Sequence, residues 1–207
     1  MSADRAVHGG GVEALRERAE QLATQVVHAA TAQGRTLATC ESLTAGLVSA
    51  TLASVSGASE VLRGGLVTYA TQTKATLAGV APEALAATGP VDPEVARQMA
   101  AGAARRLRAD IGVALTGVAG PTTQDGHPVG EVWLGIATAD AVRAVQVTPQ
   151  LCTGGQPAWE RGAVDATQLL QGGRDYIRLQ AVIGALVVLL HTLGQTPVAE
   201  LALEHRE

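Results

Sequence analysis

Lys74 is the only lysine in a chain of 207 residues that carries fourteen arginines. Arginine holds its proton in any protein environment, whereas a desolvated lysine can release it and act as a base. Tyr69, one of two tyrosines, stands five residues upstream. Ser42 falls in Glu41-Ser42-Leu43, where a strand is expected to give way to a helix. A serine hydroxyl is a weak nucleophile and needs an adjacent base. The histidines, at 8, 28, 127, 191 and 205, lie outside the turns where such a site would form, so a neutral Lys74 is the candidate. Tyr69 would relay the proton or donate to the leaving group. The N–H groups opening the helix after Ser42 would stabilise an oxyanion. On this reading Lys74→Arg keeps the charge, cannot deprotonate, and should lose activity with little loss of stability. Two plainer readings compete. A serine at a helix start is commonly an N-cap, and a lone lysine is what compositional drift towards Arg, Ala and Gly leaves behind.

The elements that would position these residues follow from spacing and punctuation. Residues 1–10 read as a disordered start, and residues 12–32 have helical apolar spacing. Residues 35–40 read as a first strand, 44–54 as a helix, and 66–70 as a second strand followed by a helical turn through Lys74. A short helix is expected over 82–87. Asp92 is a good N-cap with Pro93 at the first helical position, opening a helix to about Arg108. A third strand over 110–116 runs into the turn Gly117-Val118-Ala119-Gly120-Pro121. Residues 129–137 and 142–147 read as a hairpin. The segment 150–172 is irregular, with helical character from Trp159 onward. A closing helix spans 174–193, and 196–207 is a tail. Strands alternating with helices predict a three-layer α/β/α fold around a mixed, mainly parallel sheet of about five strands. Ligands bind such sheets beyond the carboxyl ends of the strands. The turns after the first three strands, carrying Ser42, Tyr69 and Gly117, would meet there.

Composition narrows the partners. Net charge is −4, aromatics are 2% of residues and Phe is absent, and no basic block or aromatic platform for nucleic acid is visible. The core must be Ala, Val, Leu and Ile. Cys40 and Cys152 lack metal-ligand spacing, and no metal or other cofactor is expected; without a signal peptide a reduced cytoplasm is the expected location. The apolar run 181–190 is too short to span a bilayer and reads as a buried helix. The glycine turn at 117–120 has the character of an anion-holding turn. Arg174 and Arg178, four apart on one helix face, suit an anion as well. Trp133 reads as core. Trp159 reads as packing over a site or fastening its segment.

These residues resemble the C-terminal domain of the CinA competence/damage-inducible proteins, the nicotinamide-nucleotide amidase family. The family block Ala-Glu-Ser-Cys-Thr-Gly-Gly corresponds to Cys40-Glu41-Ser42-Leu43-Thr44-Ala45-Gly46. The Gly-Gly-hydrophobic-Val-Thr-Tyr block ending in Lys corresponds to Gly64 through Lys74, the Gly-hydrophobic-Ala-Gly-Pro turn to Gly117 through Pro121, and Pro-Val-Gly-x-Val-Trp to Pro128 through Trp133. The closing Arg-Asp-x-hydrophobic-Arg start corresponds to Arg174 through Arg178. The resemblance implies an amidase domain over 11–195 that hydrolyses the carboxamide of nicotinamide mononucleotide to nicotinate mononucleotide and ammonia. It implies Ser42, Tyr69 and Lys74 as catalytic residues, and Thr44, Gly46, Thr116, Gly117, Gly120 and Arg178 as substrate-binding ones. It implies no metal or redox cofactor; a homodimer is also expected. The chain departs from the family pattern at Leu43, Ala45, Ala70-Thr71 and Gly172-Gly173, and carries an apparent insertion around 151–171. The alternatives are a nucleotide-binding domain without turnover, an enzyme for a different amide, and a purely structural dimer unit.

Overall fold

The computed structural model describes residues 3–159 and 165–197. Helix α1 (Ala3–Gln33) leads into β1 (Leu37–Glu41), then α2 (Leu47–Ala53), α3 (Ala58–Val61) and β2 (Leu62–Val67). A short α4 (Thr71–Thr73) continues as a π-helical turn (Lys74–Ala78), followed by α5 (Pro82–Thr88) and α6 (Pro93–Leu107). Next come β3 (Ile111–Gly117), β4 (Val132–Ala137), β5 (Val142–Gln146), α7 (Pro149–Cys152), a 3-10 turn (Ala166–Gln168) and α8 (Arg174–Thr192).

All five residues of β1 are buried, as expected for a central strand covered on both faces. The sheet order is β2-β1-β3-β4-β5. β1 pairs in parallel with β2 and β3, while β3–β4 and β4–β5 are antiparallel. Four of the five strands thus point one way and β4 alone reverses. Alternation along β1 divides the core. Leu37 packs with Leu22 and Val26 of α1 and Ile183 and Val187 of α8. Ala38 and Cys40 face Val95, Met99 and Ala103 of α6. Helix α8 is long and apolar enough to cross a membrane by composition, yet most of it is buried in the fold, sharing one core cluster with α1 and the sheet. Asp92 caps α6 as its sequence predicted, accepting from Glu94 N at 2.7 Å, with Pro93 at the first turn. Gly102 of α6 has no room for a side chain, because a Cβ there would stand 1.8 Å from Ala78 O. The helix backbone therefore abuts the π-helical turn that begins with Lys74.

Three boundaries differ from the sequence reading. Helix α1 starts at Ala3, where residues 1–10 were expected to be disordered; residues 1 and 2 lie outside the described residues. Propagating a helix back from a docked nucleus is cheaper than nucleating one. Helix α2 starts at Leu47 rather than residue 44, because Ala45 and Gly46 are left-handed (φ 52° and 96°) and cannot join a right-handed helix. Strand β2 occupies Leu62–Val67, four residues earlier than expected. Gly64 and Gly65 look like breakers, but Gly65 is needed where it is, since a Cβ would lie 2.3 Å from Ser49 Oγ and 2.5 Å from Thr39 Oγ1. The expected helical character after Trp159 is limited to the 3-10 turn, with 160–164 outside the described residues. Of the tail, 198–207 lie outside them too.

Candidate active site

The turns following β1, β2 and β3 meet at one end of the sheet, as the topology demands. Ser42 follows β1 directly, its N–H donating to Leu115 O of β3 at 3.0 Å. Thr68 prolongs β2 by one pairing, its N–H donating to Glu41 O at 2.8 Å. Two turns further on, Lys74 opens the π-helical turn and points back beneath Thr68. Its Nζ is 2.9 Å from Ser42 Oγ and donates to Thr68 O at 2.9 Å. π-Helical turns are rare and recur at functional sites.

Lys74 is 1% exposed. Burial pulls its pKa down from 10.5 to about 8, with the neighbouring Cys40 acting weakly the other way. A substantial neutral fraction is therefore available near neutral pH. Cys40 is itself pushed up to about 11 by burial, so it stays a neutral thiol beside the dyad. Lys74→Arg puts a bulkier guanidinium at this 1% exposed position, where overpacking costs about 1–3 kcal/mol unless the adjoining cavity takes the added atoms.

A cavity of about 270 Å3 opens in front of the dyad. Ser42, Lys74, Tyr69, Thr116, Gln124 and Arg174 are among its lining residues. Tyr69 stands at the rim, 57% exposed. Its hydroxyl accepts from Arg174 Nη2 at 2.7 Å, rather than joining Ser42 or Lys74; the expected proton relay is not assembled in this state. Arg174 also donates from Nη1 to Gly120 O at 2.7 Å. One guanidinium thus joins α8, the end of β2 and the turn after β3.

The helix start after Ser42 does not supply an oxyanion hole. Glu41, 1% exposed, turns its carboxyl group under α2. Oε2 accepts from Gly46 N at 2.9 Å and Val48 N at 3.0 Å. Oε1 accepts from Ser49 N and Ser49 Oγ, both at 2.9 Å, and from Thr39 Oγ1 at 3.1 Å. The donors at the head of α2 are already engaged. Among the described residues, the N–H groups of Leu43, Ala119 and Gly120, which line the cavity, are engaged with no other group. These are among the candidate donors to a developing oxyanion. Glu41 itself escaped the sequence reading; an acidic residue immediately before a turn into a helix was the available signal.

The other expected binding residues divide. Thr116, Gly117 and Gly120 line the cavity. The Thr116 hydroxyl donates to Pro90 O at 2.5 Å, which fastens the loop before α6 to the site. Gly117 is needed for packing, since a Cβ would lie 2.5 Å from Glu131 O. Thr44, Gly46 and Arg178 do not face the cavity. Thr44 is fully buried, and Gly46 donates to Glu41. Arg178 donates from Nε to Leu43 O and from Nη2 to Thr44 O, both at 3.0 Å, which pins the turn carrying Ser42. Of the arginine pair on α8, Arg174 is the one available to an anion. His127 Nδ1 is 3.0 Å from Glu131 Oε2, whose other oxygen accepts from the Trp133 indole at 2.9 Å.

The model of the CinA C-terminal domain matches residues 19–156, two-thirds of the chain. The chain belongs to the CinA C-terminal domain family. A putative competence-damage inducible protein of Lactiplantibacillus plantarum is 37% identical over 175 residues, covering 84% of this chain and 37% of that protein. A CinA-like protein of Frankia casuarinae is 40% identical over 166 residues, covering 80% of this chain and 34% of that protein. The chain thus spans about a third of the length of these curated relatives. Among solved structures, the competence/damage inducible protein CihA from Agrobacterium tumefaciens superimposes with a TM-score of 0.70 at 33% identity, covering 86% of this chain and 96% of that one. A CinA superfamily protein from Klebsiella pneumoniae gives 0.72 at 26% identity, covering 85% and 98%.

Within this CinA domain, the departures beside Ser42 are accommodated. Leu43 is buried in the main core. Ala45 keeps the left-handed conformation, φ 52°, that glycine adopts freely, at a strain of roughly 1 kcal/mol. Ala45→Gly is therefore expected to raise the unfolding free energy by several tenths to about 1 kcal/mol. Chemical denaturation would test this, and a loss of stability of the same size would show that the turn is not strained.

Proposed function

We propose that this CinA domain hydrolyses the carboxamide of nicotinamide mononucleotide to nicotinate mononucleotide and ammonia. The observation that carries the reading is the 2.9 Å approach of the buried Lys74 amine to Ser42 Oγ. Neutral Lys74 takes the Ser42 proton as Oγ attacks the amide carbon. The carbonyl oxygen becomes an oxyanion facing the open N–H groups of Leu43, Ala119 and Gly120. Lys74, now charged, returns the proton to the amide nitrogen, the C–N bond breaks, and ammonia leaves an acyl-Ser42 ester. Water then attacks the ester; Lys74 takes its proton and returns one to Ser42 Oγ, and the acid product ionises to the carboxylate.

Arg174 supports the nucleotide part of the reading. A phosphate is a better guanidinium partner than a phenol oxygen. Substrate phosphate drawing Arg174 away would release the Tyr69 hydroxyl towards the leaving nitrogen. A different amide-bearing nucleotide is the second reading: residues 70 and 71 offer the cavity no side-chain amide, while Gln124, also on its lining, carries one. The same chemistry would run in either case.

Purified protein should release ammonia from nicotinamide mononucleotide, and Ser42→Ala should reduce release to background. Equal release by both would exclude Ser42 as nucleophile. The base must be neutral, so kcat/KM should rise about tenfold per pH unit below the Lys74 pKa of about 8 and level off above it. A profile flat from pH 6 to pH 9 would remove Lys74 from that role.

A further inference from the structure

Trp159 does not reach the catalytic cavity. It lines a second one, of about 430 Å3, where β1 and β3 begin, β4 turns into β5 and α8 ends. This is larger than the roughly 270 Å3 in front of Ser42, and it lies at the other end of the sheet. Arg35 and Ser42 are separated by the length of β1, roughly 20 Å at about 3.3 Å per residue. No small ligand touches both cavities.

The side chains around the second cavity are chemically diverse. The Arg143 guanidinium lies over the Trp159 ring, 5.6 Å from its centroid, which holds the indole as a flat wall. Arg35 provides a second guanidinium on the same cavity. Among the described residues, neither arginine is in an ion pair within 4.0 Å. Two carboxylates share the rim, Asp140 and Asp110; Asp110 Oδ2 accepts from Thr36 N at 2.8 Å and from Thr36 Oγ1 at 2.7 Å. His191, at the end of α8, forms part of one wall.

Each feature selects part of a ligand. The guanidinium groups suit a phosphate. The carboxylates suit donor hydroxyls and would repel a ligand that was only an anion. The indole suits a planar base. We propose that this cavity is a binding site for a mononucleotide, separate from the catalytic cavity. Helix α8 carries Arg174 at one end and His191 at the other, so a ligand here bears on the same rigid element that reaches the catalytic site.

Calorimetric titration of the full chain with adenosine 5′-monophosphate tests the assignment, with inorganic phosphate as the comparison probe. Saturable binding of the nucleotide is expected, at least tenfold tighter than phosphate. The Arg35→Ala/Arg143→Ala double variant changes only exposed side chains and should weaken nucleotide binding at least tenfold while its thermal unfolding stays near the native value. Trp159→Ala should weaken it independently, and Arg174→Ala should leave it within twofold. Absence of saturable binding at millimolar concentration overturns the proposal. So does phosphate binding as tight as the nucleotide, or binding that is lost in Arg174→Ala and kept in the double variant, which would place the nucleotide beside Ser42.

Discussion

A Lys74→Met chain should release ammonia about a thousandfold more slowly than the native chain, and its stability should respond differently to pH. The first effect follows from the chemistry: without an amine 2.9 Å from Ser42 Oγ, the hydroxyl keeps its proton, and loss of a positioned base costs about 10²–10⁴ in rate. The second follows from linkage. In the unfolded chain Lys74 binds its proton up to pH 10.5; in the fold it does so only up to about pH 8. Between those values the unfolded state holds more protons, so native stability rises with pH across that window. Below pH 8 the whole penalty for burying the amine is present. A shift from 10.5 to about 8 corresponds to roughly 3 kcal/mol at about 1.4 kcal/mol per pH unit. The methionine chain lacks this term. Urea unfolding of both proteins at pH 7.5 and pH 10.5 should show the native chain gaining roughly 3 kcal/mol on the variant. Parallel pH dependences would mean that Lys74 titrates normally in the fold.

Glu41→Ala should be the most destabilising single change near the site. The carboxyl group accepts five hydrogen bonds, three of them from backbone N–H groups at the head of α2. Removing it orphans Gly46 N, Val48 N and Ser49 N together, at about 1–3 kcal/mol for each buried donor. A loss of about 4–6 kcal/mol is expected, comparable to the whole stability of many domains. Glu41→Gln keeps one acceptor oxygen and presents an NH2 group to the other donors, so it should fall between alanine and the native chain. Denaturant midpoints for the three proteins give the answer. An alanine variant within 1 kcal/mol of native would mean that water replaces the carboxyl group in this network.

What could be read from the sequence depended on how local its cause was. The Asp92-Pro93 start of α6 was legible because an N-cap and a first-turn proline act over three residues. Lys74 was legible because its retention stood out against composition, and the alternation of strands and helices gave the three layers. Strand β2 was misplaced because the need for Gly65 comes from Ser49 and Thr39, which reach it only once the sheet and α2 are assembled. The choice between Arg174 and Arg178 was not legible. Both lie on one face of α8, and only the docking of that helix decides that one meets the cavity and the other the carbonyls of Leu43 and Thr44. The role of Glu41 depends on the left-handed pair Ala45-Gly46, which folds the head of α2 back over the carboxyl group. Trp159, read as packing over a site or fastening its segment, lines a cavity at the far end of the sheet from Ser42.

The burial of Lys74 has a consequence for the chemistry done to this protein as well as by it. Amine-directed reagents have one side-chain target in the whole chain, and in the folded state that target is 1% exposed. Reagents too large for the cavity of about 270 Å3 in front of Ser42 must wait for the fold to open before they acylate position 74, and the bulk on the nitrogen then prevents reclosure. Labelling of this residue is therefore a clock for opening of the native state, and each tick removes one molecule from the active population.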